Sequence, residues 1–258
     1  MKLKALLFDV DGTLAETEKD LKRVAFNRAF ERLHLAYFWD EDLYGELVKV
    51  AGSSERLRFY FAHHRGLSAA EFEPLIDSIL QQQTAILTEM LGEVKIVPST
   101  GILRLFDEAH AANIATGIVT ASSRASLSLV EFLLGAERFR RLGVIVCGDD
   151  VRRKKPHPEA YHLALERLDI DSHGAIAIED SYNGLAAAKA ASLPCLIVRS
   201  FYSRDHDFSK ADLVVEELGD ENAPTRLLSN PHYLACNSYI TLANIFQLHS
   251  VSALSREG

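Results

Sequence analysis

Two aspartates, Asp9 and Asp11, stand two residues apart where the apolar run over 3–8 ends, in the stretch FDVDGT. Charges at the mouth of a buried strand are costly unless something pairs with them. Three further places carry groups that could join them: Thr120, followed by Ala121 and Ser122; Lys155, followed by Pro156; and the acidic pair Glu179–Asp180. Each alone is weak, since an acidic residue after a strand is often a helix cap and Asp-Gly is a common turn. Taken together they are chemically coherent. Asp9, Glu179 and Asp180 on one edge would repel unless a cation sat among them, and hard oxygen ligands with room for water suit Mg2+. Asp9 could then attack phosphorus, because carboxylates form acyl-phosphate intermediates. Asp11 projects to the same side of the strand end. From there it can protonate a leaving oxygen and later activate water. Lys155 and Thr120 would hold the phosphoryl oxygens, so that catalysis is mostly positioning and charge neutralisation.

The elements that must bring these residues together are legible as an alternation. LKALLF, IATGIVT, VIVCG, AIAIED, PCLIV and DLVV are short apolar runs. Between most of them lie stretches of helical period: GILRLFDEAHAAN, SRASLSLVEFLLG, PEAYHLALERLDI and GLAAAKAAS. Near-continuous apolar strands separated by helices predict a Rossmann-like α/β fold, a doubly wound and mostly parallel sheet with helices on both faces. Open parallel sheets bind ligands at their carboxyl edge, where all four groups of candidate residues fall.

One segment breaks the rhythm. Residues 16–93 hold only helical patterns, among them KRVAFNRAFERLHL, DEDLYGELVKV and SERLRFYFAHH. This predicts an all-helical cap domain inserted into a core made of 1–15 and 94–258, with hinges at 15–18 and 92–97. Trp39, with Phe38 and Tyr37, is expected in the core of that insert. The adjacent His63 and His64 are not expected to bind metal, since neighbours on a helix face different directions. The tail 219–258 is less patterned, with one expected helix over YITLANIFQLHS carrying Ile240, Ala243, Phe246 and Leu248 on its apolar face.

Composition narrows the class. A net charge of −8 argues against a nucleic-acid surface, which needs a basic face. The basic clusters RFRR and RRKKP read as solvated faces apart from Lys155. Three cysteines cannot pair completely, and Cys147 and Cys195 lie in apolar runs as reduced core thiols. The apolar run after the N-terminus meets Asp9 too soon for a signal peptide, and none reaches membrane-spanning length. A cytoplasmic monomer with no membrane or nucleic-acid partner is expected, with a plastid or other compartment left open.

In their order, DVDGT, Thr120, KKP and IEDS resemble the four motifs of the haloacid dehalogenase superfamily, over residues 3 to about 215. The helical insert is similar to the helical-cap branch that includes the β-phosphoglucomutases. The resemblance implies Asp9 as nucleophile, Asp11 as acid/base, and Mg2+ held by Asp9, the Asp11 backbone carbonyl, Glu179 and Asp180. A second aspartate at Asp11 also sets the chain apart from the dehalogenases that named the group. LFDVDGTLAETE, FWDEDLYGELV, GSSER and FYSRDHDFSKAD further resemble the CbbY-like sugar-phosphate phosphatases, which remove a phosphate from xylulose bisphosphate. That likeness implies a small phosphorylated sugar as substrate, met by Glu18 and by the loop 52–56 with Gly52 and Arg56. Ala121, Ser122 and Asn183 are further candidate contacts, with loop or capping roles as the alternative for Ser122 and Asn183. Two departures stand out: Ser54 replaces a usual lysine, and no arginine precedes the turn PSTG. Arg58 and Lys49 are nearby cations. A phosphomutase, a broad-range metabolite phosphatase and a non-catalytic binding protein are the alternatives. In the β-phosphoglucomutases a cap histidine ten residues after the second aspartate holds the acid/base back. Counting ten from Asp11 gives Leu21, which offers no such restraint.

Overall fold

The computed structural model describes residues 2–94, 96–236 and 238–254. Lys95 of the expected second hinge and residues 255–258 of the tail lie outside the described residues. The six apolar runs become β1 (Ala5–Phe8), β2 (Ala115–Val119), β3 (Val144–Val146), β4 (Ala175–Glu179), β5 (Cys195–Val198) and β6 (Leu213–Val215). They form one parallel sheet in the order β3-β2-β1-β4-β5-β6. A short seventh strand, β7 (Leu227–Ser229), adds antiparallel to the β6 edge. Only three residues long and half-exposed, it carries too little apolar signal to be seen in sequence.

Alternate side chains of each strand feed two layers, as the period of two requires. Leu6, Phe8, Ile118, Ile178 and Val198 pack beneath α5 (Ile102–Ala111), α6 (Leu127–Arg140) and α9 (Leu242–Leu254). Leu7, Val119, Val146, Ala177 and Ile197 pack beneath α7 (Glu159–Arg167) and α8 (Tyr182–Ala190). Helix α6 is interrupted at Gly135, whose φ of 76° and ψ of 151° are not helical. The tail is integral to the core. Arg104 donates to the carbonyls of Gly219 and Ile240, and Glu108 accepts from the Leu242 N–H. The face of α9 differs from the expected one: Leu242, Ile245 and Leu248 are buried, whereas Ala243 and Phe246 are exposed. The helix starts at Leu242, three residues into the expected stretch, and its buried stripe runs through Leu242, Ile245 and Leu248.

Between β1 and α5 the described residues contain helices only: α1 (Arg23–Arg32), α2 (Glu41–Leu47), α3 (Ser53–Phe59) and α4 (Ala69–Leu91). They enclose an aromatic cluster of Phe26, Phe30, Trp39, Tyr44, Tyr60 and Phe61. Trp39 is fully buried, with Phe26 4.7 Å and Phe30 5.1 Å away between ring centroids. Phe38, expected beside it, is instead 68 % exposed, because the extended segment turns alternate side chains outward. The far faces of α1 and α4 supply Ala25, Ala29, Ile86 and Met90 to the same apolar cluster as the sheet. The two connections to the sheet run side by side, with the Ser99 N–H donating to Leu14 O at 2.7 Å.

Candidate active site

Register places the chemistry. Phe8 pairs with Ile118 on one side and Ile178 on the other, so β1, β2 and β4 end at one level. Asp9 continues the ladder, its N–H donating to Ile178 O at 2.9 Å. The chain then turns sharply through Gly12, whose φ is +88°. A Cβ there would lie 2.2 Å from Asp180 Oδ2, so only glycine lets this turn and Asp180 approach. Gly184 does the same for Glu179, whose Oε2 sits 1.8 Å from where a Cβ would be.

Lys155 ties the carboxylates together. Its three N–H groups are all used, on Asp9 Oδ1 (2.7 Å), Val119 O (2.7 Å) and Glu179 Oε1. In this arrangement it orients nucleophile and acidic partner, and holding a phosphoryl oxygen would require releasing one of them. Tyr161 also donates to Glu179 Oε1, at 2.5 Å. Burial works against the Lys155 ammonium, but Asp9 and Glu179 hold its pKa above the ordinary value. Burial pushes the Asp9 carboxyl up to about 7, against the pull of Lys155 and with the help of Glu179 and Asp11. Burial and the Asp9 charge raise Asp180 well above the carboxylate range, although Ser200 donates to it at 2.6 Å.

These are the properties of a cation site. Ligand atoms of Asp9, Glu179 and Asp180 lie within 4.8 Å of one another, all three residues are buried, and Glu179 Oε2 has no hydrogen-bond partner among the described residues. Converging carboxylates with an unsatisfied oxygen fit a hard divalent ion such as Mg2+.

Asp11 faces the helical layer. Its Oδ1 accepts from Thr17 at 2.6 Å, and its Oδ2 accepts from Ser122 at 2.6 Å and from Lys22 Nζ at 2.5 Å. Lys22 also donates to Ser122 Oγ at 2.8 Å. Burial opposes its charge, yet Asp11 and Glu18 raise its pKa. The expectation that nothing restrains Asp11 is therefore corrected. Residues Glu18–Lys22 form a π-type turn, with the Arg23 N–H bonded to Glu18 O five residues back. A π turn inserts one extra residue. Leu21 is thereby turned into the apolar core and Lys22, the eleventh residue after Asp11, toward the carboxylate.

Most of the other expected residues border one cavity of about 350 Å³ between the sheet edge and the helices. Asp9, Asp11, Thr120, Lys155 and Asp180 form its floor, and Glu18, Gly52 and Arg56 its roof. Glu179 lies beneath it, fully buried. Thr120 is buried, its Oγ1 accepting from the Ser122 N–H at 3.1 Å. Ala121, Ser122 and Asn183 complete the rim, and Asn183 donates to Lys49 O across the gap at 2.8 Å. Gly52 has a φ of +92° at the start of α3.

Arg56 is neither a solvated face nor a free cation. Its guanidinium donates to Glu18 Oε2 at 2.9 Å and to the Tyr44 hydroxyl at 2.6 Å, with 4 % of the residue exposed. Burial disfavours the Glu18 carboxylate, but Arg56 and Lys22 hold its pKa down at about 2. Arg58 instead turns outward, to Glu73 and Ser54. Lys22, Thr17, Tyr44, Ser200 and Tyr202 were missed in the sequence. Tyr202 belongs to the quoted FYSRDHDFSKAD stretch, and its ring meets Tyr44 at 5.6 Å.

A parallel sheet whose carboxyl edge gathers an aspartate pair, a buried lysine and an acidic cation site defines a phosphoryl-transfer enzyme. Residues 6–198 match the family described as haloacid dehalogenase-like hydrolase, and the chain belongs to it. It is 39 % identical to the CBBY-like protein of Arabidopsis thaliana over 223 residues, 84 % of this chain and 69 % of that one. It is 39 % identical to Protein CbbY of Cereibacter sphaeroides over 220 residues, 84 % of this chain and 94 % of that one. The crystal structure of a CbbY mutant from Rhodobacter sphaeroides in complex with xylulose-(1,5)bisphosphate superposes with a TM-score of 0.78 at 39 % identity. That match covers 83 % of this chain and 94 % of that one. Among the described residues, no helix is long and apolar enough to cross a membrane.

Proposed function

We propose that the protein is a Mg2+-dependent phosphatase acting on a small sugar phosphate, with a xylulose bisphosphate-type substrate as the first candidate. The observation that carries this reading is the single cavity joining Asp9, Asp11, Thr120, Lys155 and Asp180 beneath a helical roof. Its volume suits one small metabolite. The likeness to CbbY proteins, one of them crystallised with xylulose-(1,5)bisphosphate, supports the substrate class.

In this reading Asp9 attacks phosphorus as the bond to the sugar oxygen breaks, and Asp11 gives that oxygen its proton. Asp11, now a carboxylate, takes a proton from water. The water oxygen attacks the phosphoryl group, the Asp9–phosphorus bond breaks, and inorganic phosphate leaves. Lys155 keeps Asp9 aimed and Thr120 borders the phosphoryl position. Asp9, the Asp11 carbonyl, Glu179 and Asp180 would hold Mg2+, which supplies charge neutralisation at the phosphoryl oxygens. We assign 16–93 as the cap, closing on a core of 1–15 and 94–258 through hinges at 15–18 and 92–97 and excluding water from the first step. Contacts across the gap from Asn183 to Lys49 O and from Lys154 to Glu55 (2.8 Å) support a closed arrangement.

A phosphate-release screen over sugar mono- and bisphosphates, with Mg2+ and with EDTA, tests the reading. Release from at least one sugar phosphate that EDTA abolishes is expected. No release from any of them, or release indifferent to EDTA, would reject it.

A further inference from the structure

We propose that Tyr161 is a positioning residue for the cation: by holding one oxygen of Glu179 it presents only the other to the metal, which favours Mg2+ over Ca2+. The inference rests on the proposed reading of Asp9, Glu179 and Asp180 as a Mg2+ site. Tyr161 lies on α7 and is fully buried. Its hydroxyl donates to Glu179 Oε1 at 2.5 Å, and Lys155 donates to that same oxygen. Glu179 Oε2 is buried and has no hydrogen-bond partner among the described residues. A carboxylate has acceptor sites on both oxygens, so two donors that served only to satisfy it could be shared between them. Here both meet Oε1, and the residue with the unanswered oxygen is one of the three whose ligand atoms converge. A fully buried carboxylate oxygen left without a donor is costly unless a cation meets it.

The neutrality of the donor matters as much as its place. With the cation's ligands ionised, the carboxylates of Asp9, Glu179 and Asp180 and the one ammonium of Lys155 leave two negative charges, the amount one divalent cation neutralises. A lysine or arginine in place of Tyr161 would satisfy Oε1 equally and weaken the attraction for the cation. The hydroxyl also limits what Glu179 can give. With Oε1 occupied by two donors, Oε2 alone is available and the carboxylate binds through a single oxygen. Mg2+ demands near-octahedral geometry with short bonds, whereas Ca2+ takes about six to eight oxygens and readily accepts both from one carboxylate. Gly184 leaves Oε2 uncovered, since a Cβ there would lie 1.8 Å from it.

The test measures metal binding in the absence of substrate. Mn2+, which takes the same octahedral oxygen set as Mg2+ and whose free ion is read by electron paramagnetic resonance, is titrated into wild type and Tyr161→Phe. It is then displaced with Mg2+ or with Ca2+. Loss of a hydrogen bond to a metal ligand should raise the Mn2+ and Mg2+ dissociation constants by about 10- to 100-fold. Ca2+ should lose less, within about threefold, because the released carboxylate can turn and offer it both oxygens. Tyr161→Phe removes one oxygen atom and keeps the ring, so its circular dichroism in EDTA should match that of wild type. Phosphate release by the variant should need correspondingly more Mg2+. Mn2+ and Mg2+ binding unchanged in Tyr161→Phe, or all three ions weakened alike, would overturn the inference while leaving the phosphatase reading standing. If the variant does not fold, wild type decides. Ca2+ binding weaker than Mg2+ by about tenfold or more supports the inference, and Ca2+ displacing Mn2+ as readily as Mg2+ does overturns it. A wild type that binds no Mn2+ overturns both the inference and the metal-dependent reading beneath it.

Discussion

Replacing Arg56 by methionine removes the guanidinium that answers Glu18 and leaves a carboxylate enclosed beside Tyr44. The folded-state pKa of Glu18 is held near 2 against an ordinary 4.5. At 1.36 kcal/mol per pKa unit, that difference is about 3 kcal/mol of stability at neutral pH. Because the folded value lies below the unfolded one, the contribution is present above pH 4.5 and is lost as pH falls toward 2. Lys22 remains in Arg56→Met, but at 3.7 Å it is the weaker partner. Urea denaturation should therefore show Arg56→Met less stable by about 3 kcal/mol at pH 7, the usual range for a broken buried pair. The deficit should shrink to roughly half or less at pH 3, where linkage leaves the wild-type pair only part of its advantage. By heat, the pH 7 deficit corresponds to a Tm lower by about 6–12 °C for a protein of this size. Glu18→Gln in the same background should restore part of the loss. A deficit below about 1 kcal/mol at pH 7, or one independent of pH, would refute the buried pair as the roof's anchor.

Other perturbations test the site and its frame. Asp9→Asn should abolish phosphate release while its circular dichroism and cooperative unfolding match wild type; normal turnover would end the nucleophile assignment. Gly12→Ala places a Cβ 2.2 Å from Asp180 Oδ2 at a φ of +88°, and the displaced carboxylate should lower kcat by about 100-fold. Near-normal activity with ordinary Mg2+ dependence would show that Asp180 does not need this approach. Trp39→Ala should cost about 3–5 kcal/mol in denaturant unfolding, since it empties the centre of the aromatic cluster. A loss under 1 kcal/mol would mean the helices do not depend on it. Glucose 1-phosphate with bisphosphate primer should give no NADPH in a coupled glucose-6-phosphate dehydrogenase assay, and its formation would favour the mutase.

The sheet was legible because parallel strands buried on both faces are written as unbroken apolar runs, and each of the six is a strand. The reacting residues were legible because strand ends converge on one edge. Asp9, Thr120, Lys155 and Asp180 needed no knowledge of side-chain direction to be placed together. What failed did so for local reasons. Lys22 was hidden because the count of ten residues from Asp11 was carried over from the β-phosphoglucomutases, whereas in this chain the π-type turn Glu18–Lys22 puts the eleventh residue beside Asp11. The same correction removes the argument from Leu21 against a mutase, so the preference for hydrolysis rests on the CbbY likeness. Arg56 was legible only as a candidate substrate contact; its ties to Glu18 and Tyr44 were not, because those partners lie 38 and 12 residues away. Strand β7 and the buried face of α9 depend on what the tail packs against, which no local period records.

The central claim is that a phosphoryl group passes through Asp9. Rapid acid quench of the enzyme with a ³²P-labelled sugar phosphate substrate and Mg2+, followed by peptide mapping, tests it most directly. The account predicts acid-stable label on the peptide containing Asp9, absent from Asp9→Asn and accumulating in Asp11→Asn when an activated leaving group is used. Label on another residue, or turnover with no labelled protein at any quench time, would contradict it.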